Sequence, residues 1–215
     1  MSHSRSPAYG VVVPVKPLAV AKSRLASLGD AVRRDLMTAF VVDTVSAVLN
    51  CPEVARVLVV TDDQTLVRGL TDLGVAAIPD GDTSDLNASL VQGAAELERR
   101  ESGVRPVALC GDLPALRSQE LATVLSQSAA HAASFVTDAA GTGTTLYTAE
   151  SLARFVPRFG AASRQAHLDS GAEELHTTGV TSVRQDVDTP TDLRAALALG
   201  VGARTAWVAS RAGLA

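Results

Sequence analysis

Val107-Ala108-Leu109-Cys110-Gly111-Asp112-Leu113-Pro114 is a short apolar run cut off by a glycine, a carboxylate and a proline. A run this short and this uniformly apolar, bounded by turn residues, reads as a strand buried on both faces, the habit of parallel sheets covered by helices. The pattern recurs on either side. Upstream, Gly10 to Val15, Val54 to Val60 and Val75 to Ile78 are predicted strands. Downstream come Ser134 to Thr137, a strand entered through the glycine-rich bend Gly141 to Tyr147, and Val183 to Val187. Between them lie stretches of helical length. These are Asp30 to Asn50 with Asp30 as its expected cap, a short helix ending near Leu73, Leu86 to Arg100 behind Asp85 or Ser84, Ser118 to Ala130, Ser163 to Leu175, and Pro190 to Leu199 stopped by Gly200. Strands alternating with helices predict one α/β domain on a mainly parallel sheet flanked by helices. Its expected bounds are residues 9–200, after a flexible 1–8 and before a 201–215 tail whose one large apolar anchor is Trp207.

Composition narrows the function. With 47% hydrophobic residues in 215, the chain can bury a substantial core, which excludes disorder. A net charge of −4 offers no general basic footprint, so neither nucleic acid nor an anionic membrane is an expected partner. The first apolar run is broken by Pro14 and Lys16 and reads as neither signal peptide nor span. Two cysteines, Cys51 and Cys110, make no disulfide framework, and a reducing cytoplasm is the expected setting. The four histidines lack zinc-ligand spacing. Of the 19 basic residues 17 are arginine, and the two lysines, Lys16 and Lys22, stand six residues apart.

In open parallel sheets ligands gather at the carboxyl ends of strands. Those ends are acidic here: Asp62, Asp63, Asp80, Asp82, Asp112, Asp138, Asp186 and Asp188. Most suit caps and turns, which aspartate favours. Two groups go further. Asp112 stands beside Gly111, which permits close approach, and before Pro114, which fixes the exit. Asp186 and Asp188 have strand spacing and point the same way, so with a third carboxylate from a neighbouring strand end they could share a divalent cation such as Mg²⁺. The loop after the first strand adds Lys16, Lys22, Ser23 and Arg24, suited to a polyphosphate. Neither G-x-x-x-x-G-K-[ST] nor G-x-G-x-x-G is present. The same residues also suit plainer tasks: Asp188, Ser163 and Asn87 as helix caps, and the basic loop as solvated surface.

Val13-Pro14-Val15-Lys16 with Ala21-Lys22-Ser23-Arg24-Leu25, Leu86-Asn87, Gly111-Asp112-Leu113-Pro114, Gly141-Thr142-Gly143-Thr144, Phe159-Gly160-Ala161-Ala162-Ser163 with His167, and Asp186-Val187-Asp188-Thr189-Pro190-Thr191-Asp192-Leu193 follow one another in this order. The ordered set, over about residues 10 to 200, resembles the phospholactate/phosphoenolpyruvate guanylyltransferases of deazaflavin coenzyme F-420 biosynthesis. The resemblance implies a single-domain nucleotidyltransferase fold of the nucleotide-diphospho-sugar transferase-like, MobA-like Rossmann type. It implies GTP and a small phosphorylated three-carbon acid as substrates, and handover of the product to the next enzyme of the pathway; the Arg- and Ala-rich composition, similar to that of proteins from GC-rich bacteria, favours phosphoenolpyruvate over 2-phospho-L-lactate as the acid.

By resemblance, Asp112, Asp186 and Asp188 would hold one or two Mg²⁺ ions, with Asp112 counted among the catalytic residues beside Lys22 and Arg24. Lys16, Lys22, Ser23, Arg24, Asn87 and Gly111 would bind the nucleotide. Thr144, Gly160 and Ser163 would receive the acid, with His167 supporting them. The competing expectations are a nucleotidyltransferase for another phosphorylated acceptor and a non-catalytic nucleotide-binding module.

Overall fold

Continuous apolar runs rich in valine organise the sheet. In the computed structural model, which describes residues 8–16, 23–81 and 85–214, strands β1 (Tyr9–Pro14), β2 (Val54–Val60), β3 (Ala76–Ile78), β4 (Arg105–Leu109), β5 (Ala133–Thr137), β6 (Thr144–Ala149) and β7 (Glu173–Glu174) form one sheet. Its order is β3-β2-β1-β4-β6-β5-β7. Strands β1 to β4 pair parallel, as do β5 and β7, and β6 runs antiparallel to both β4 and β5. Strand order reverses between β1 and β4, so their carboxyl ends flank the crevice where such sheets bind ligands.

Odd and even residues of the central strands serve different cores. Val11, Val13, Val57, Val59, Val107 and Leu109 pack with helices α1 (Asp30–Leu49), α2 (Gln64–Thr71) and α4 (Ser118–Ser128). Val12, Leu58, Val60 and Ala108 pack with Leu90, Ala94 and Leu97 of α3 (Leu86–Arg100). Helix α3 lies so close to the sheet that a Cβ on Gly93 would come 2.6 Å from Val12 Cγ1 and 2.9 Å from Val60 Cγ2. Glycine to alanine in a helix ordinarily stabilises by up to about 1 kcal/mol. Gly93→Ala is expected to do the reverse, costing about 1–3 kcal/mol through overpacking. Urea denaturation would show it, and an unchanged or higher midpoint would refute the close fit.

Several sequence expectations are corrected. Asp30 is not the cap of α1; Gly29, with φ 84°, precedes the helix without a side-chain cap, and Asp30 pairs with Arg33 at 3.0 Å. The helix expected over Ser163 to Leu175 is α5 (Ser163–Asp169), which stops because Gly171 takes a left-handed φ of 81° and the N–H of Ala172 returns to the carbonyl of His167. The chain then forms β7 beside β5. Val183 to Val187 is no strand. Residues Thr181–Arg184 form a single helical turn, α6, because side chains satisfy its surroundings: Glu120 accepts the Ser182 N–H, and the Arg184 guanidinium donates to the carbonyls of Thr137 and Asp138. Helix α7 (Pro190–Leu199) has the expected bounds.

Beyond Gly200, Ala203–Arg211 forms α8 against α1. Its first N–H groups are received by a carboxylate from α1: Asp43 Oδ1 accepts from Arg204 at 3.1 Å and Oδ2 from Thr205 at 2.7 Å. Val208 and Ala209 are buried with Leu36 and Phe40, whereas Trp207 is 59% exposed beneath the Arg211 guanidinium. Among the described residues no helix is long and apolar enough to cross a membrane.

Candidate active site

The acidic strand ends separate into two kinds. Asp63 caps α2 and Asp85 caps α3, and Asp138 accepts the Thr142 N–H within the β5–β6 turn. Asp62 accepts the Asp80 N–H, and Asp80 meets the Ser89 hydroxyl. Asp112, Asp186 and Asp188 instead converge: each is half-buried, and one oxygen from each lies within 4.8 Å of the others.

Two backbone devices bring the three together. Thr44 of α1 accepts the Leu113 N–H at 3.1 Å, and its hydroxyl proton faces the carbonyls of Phe40 at 2.8 Å and Gly111 at 3.3 Å, which fixes the turn after β4. The Val187 N–H then donates to the Asp112 carbonyl at 3.1 Å. Val187 is fully buried, and the flanking Asp186 and Asp188 share the opposite, more open side. The alternation expected of a strand is therefore present without one. The cap of α7 is Thr189, in a capping box with Asp192, and not Asp188. Three hard oxygen donors of like charge in one corner fit a divalent cation such as Mg²⁺.

A second constellation adjoins the first. Because β6 is antiparallel, its first residue, Thr144, lies beside the carboxyl end of β4. Cys110 N–H donates to the Thr145 carbonyl and Cys110 Sγ contacts the Thr144 carbonyl at 3.5 Å. Thr144 Oγ1 is 3.0 Å from His167 Nδ1, and the Arg164 N–H bonds the Thr142 carbonyl, so the 141–144 turn and the start of α5 are tied together. Ser163 is buried and is the first residue of α5. The cap is Ala162, at φ 54°, with Gly160 at φ 136°. Ala162 holds a left-handed conformation that costs a non-glycine residue about 1 kcal/mol or more, so this loop carries strain next to Ser163.

His167 is the peg of this region. Its ring is fully buried, stacked on Tyr147 (4.7 Å) and Phe135 (5.3 Å) with Phe159 edge-on at 5.5 Å. Burial pushes its pKa down to about 4, against a smaller opposing effect of the Ser163 carbonyl. Nε2 accepts the Arg158 N–H at 2.9 Å, and a backbone N–H can only donate. The neutral ring therefore carries its proton on Nδ1 and donates it to Thr144 Oγ1, which leaves the threonine proton to be given elsewhere.

The remaining candidates are spread around these two groups. Gly111 joins β4 to Asp112, where a Cβ would come 3.1 Å from Val13 Cγ1. Lys16 is exposed just past β1. Ser23 and Arg24 open the 3-10 segment Ser23–Leu28, and Lys22 lies outside the described residues. Asn87, in the first turn of α3, spends its side-chain amide on Phe159: Nδ2 donates to the carbonyl at 3.0 Å and Oδ1 accepts the N–H at 2.8 Å. No sequence signal marks that contact between residues 72 positions apart.

Residues 9–208 match the family described as guanylyl transferase CofC like. The chain belongs to that family. A phosphoenolpyruvate guanylyltransferase of Streptomyces scabiei (strain 87.22) is 54% identical over 209 residues, spanning 94% of this chain and 96% of its own. Another, of Thermomonospora curvata, is 48% identical over 212 residues, spanning 98% and 92%. In fold, a protein from Desulfovibrio desulfuricans G20 assigned as a nucleotide-diphospho-sugar transferase superposes with a TM-score of 0.70 at 16% identity, covering 96% of each chain. The CofC-like chain thus has a nucleotidyltransferase fold, with a carboxylate corner suited to a cation and, on the neighbouring strand and helix, the buried hydroxyl residues Thr144 and Ser163.

Proposed function

We propose that this chain transfers GMP from GTP to phosphoenolpyruvate, giving enolpyruvyl-diphospho-guanosine and pyrophosphate. The observation that carries the reading is the adjacency of the Asp112–Asp186–Asp188 corner and the Thr144–Ser163 constellation at one end of the sheet. The names and coverage of the relatives support the choice of substrates.

A phosphate oxygen of the acceptor attacks the α-phosphorus of GTP in line, a new P–O bond forms, and the bond from that phosphorus to the bridging oxygen breaks, releasing pyrophosphate. The attacking oxygen is already anionic near neutral pH, so no protein base is needed. His167 fits that absence, being neutral with both ring nitrogens engaged. What the chain must supply is positioning and charge balance between anions.

Asp112, Asp186 and Asp188 would hold one or two Mg²⁺ ions, which when bound neutralise phosphate oxygens of both substrates. Thr144, with its oxygen occupied by His167, donates its proton to the acceptor, and Ser163 and the Gly160 backbone complete that pocket. Lys16, Lys22, Ser23, Arg24 and the Gly111 backbone would bind the nucleotide, and Lys22 and Arg24 would offset charge on the departing pyrophosphate. Cytoplasmic residence, supported by the two-cysteine composition, and passage of the product to the enzyme that consumes it belong to the same reading.

Incubation with GTP, Mg²⁺ and either phosphoenolpyruvate or 2-phospho-L-lactate tests it. Pyrophosphate release with phosphoenolpyruvate is expected. Release only with 2-phospho-L-lactate would reassign the acceptor, and release with neither would overturn the reaction.

A further inference from the structure

The loop entering Gly160 is held by acceptors from three separate elements. Tyr147 Oη of β6 accepts the Val156 N–H at 3.3 Å, His167 Nε2 of α5 accepts the Arg158 N–H, and Asn87 Oδ1 of α3 accepts the Phe159 N–H. The last comes from α3, which packs on β1, β2 and β4 and so approaches the loop from the sheet face that α3 covers. Asn87 alone grips both polar groups of one peptide unit's residue, donating to the Phe159 carbonyl as well. Its own position is set by Asp85, whose Oδ1 accepts the Asn87 N–H at 2.8 Å. Phe159 in turn sets two neighbours: its ring meets the edge of His167, and the next residue is Gly160 in its left-handed conformation, from which the chain turns through Ala162 into Ser163.

From this we infer that Asn87 is a positioning residue for the acceptor: it fixes Phe159, and through Phe159 the strained turn that presents Gly160 and Ser163. This rests on the proposed reaction and gives Asn87 a task other than the nucleotide contact expected from the sequence. A two-point grip matters here because the turn beyond it is strained. Without Asn87 the loop keeps the Tyr147 and His167 hydrogen bonds, the Phe159–His167 ring contact and the Ser163 N–H to Gly160 carbonyl bond, but loses both bonds that fix the Phe159 backbone, and residues 159–162 can relax away from the conformation that places Ser163. Displacement of this size, remote from the reacting atoms, is felt first in the substrate held by the loop.

Asn87→Ala is expected to raise the KM for phosphoenolpyruvate about tenfold while the KM for GTP stays within about twofold. Asn87→Asp keeps the acceptor for the Phe159 N–H but sets a carboxylate against the Phe159 carbonyl, and should fall between wild type and alanine. Amide hydrogen exchange at Phe159, read without substrates, should quicken in the order wild type, Asp, Ala. A rise in the GTP KM with the acceptor KM unchanged would overturn the inference, as would unchanged exchange at Phe159. A fall in kcat alone, with both KM values constant, would mean only a smaller folded fraction and would overturn it too. Wild-type protein assayed in parallel keeps the two readings apart: no turnover there condemns the reaction, whereas the exchange order still judges the grip.

Discussion

Asp188→Asn is expected to lower pyrophosphate release by at least about a hundredfold, the scale of removing one charge-stabilising group from a phosphoryl-transfer site. The fold should survive, because the cap of α7 belongs to Thr189 and Asp192 and Val187 keeps its buried place. Stability should move in an instructive direction. Three carboxylates with oxygens within 4.8 Å of one another repel when no cation is bound, so neutralising one leaves the melting temperature unchanged or slightly raised in a chelator. Mg²⁺ should stabilise wild type by an amount that grows with the logarithm of its concentration, about 2.7 kcal/mol at a hundred times Kd. The variant should lose most of that response. Equal turnover in the variant, or an equal Mg²⁺ shift in both proteins, would remove Asp188 from the metal corner.

Acidification should expose the second large effect. The folded pKa of His167, about 4, lies below the ordinary value of 6.5, so between these values the unfolded chain binds the additional proton. Stability from this group is complete above about pH 6.5, falls as the pH drops towards 4, and changes no further below that. The loss is about 3 kcal/mol, the free-energy equivalent of the difference between the two values. Its cause is specific: a protonated Nε2 cannot accept the Arg158 N–H, and a charged ring is costly among Tyr147, Phe135 and Phe159. His167→Gln should be less stable at pH 7 yet show a flatter decline from pH 6.5 to 5, a window above most carboxylate titrations. Parallel pH profiles for the two proteins would discount the buried neutral ring.

Much of this molecule is legible in its sequence, and the exceptions share a cause. Helices α3 and α7 are readable because their signals are local: Asp85 ahead of one, Pro190 and Gly200 around the other. The central strands are readable because their uniformly apolar runs, bounded by turn residues, are local too. The stop after α5 is also written locally, in Ser170-Gly171, but an apolar pattern running on to Leu175 masks it. Thr181–Arg184 carries a strand-like composition, and partners distant in sequence make it a turn of helix: Glu120, 62 residues away from Ser182, and the Thr137 and Asp138 carbonyls that receive Arg184. Helix α8 has no acidic residue in its first turn because the carboxylate that serves it comes from position 43. In the candidate site, spacing accounts for Asp186 and Asp188 sharing one side, with Val187 anchoring the alternation even without a strand, whereas Asp112 joins them through the long-range bond from the Val187 N–H to its carbonyl, a meeting that only the family resemblance implies. The Asn87–Phe159 grip depends on the packing of distant segments and leaves no local trace.

Helix α1 serves two distant clients with consecutive residues. Asp43 holds the first turn of α8, and Thr44 holds the Gly111–Leu113 turn that carries Asp112. The last helix is therefore coupled mechanically to the carboxylate corner through a single rigid rod, and the Gly202 N–H, bonded to the Pro114 carbonyl, closes the loop. A Cβ at position 202 would collide with the Asp43 carboxylate. While aspartate occupies position 43, position 202 therefore admits only glycine, and a drift in the register of the carboxy-terminal helix would be felt as a change in the reach of Asp112.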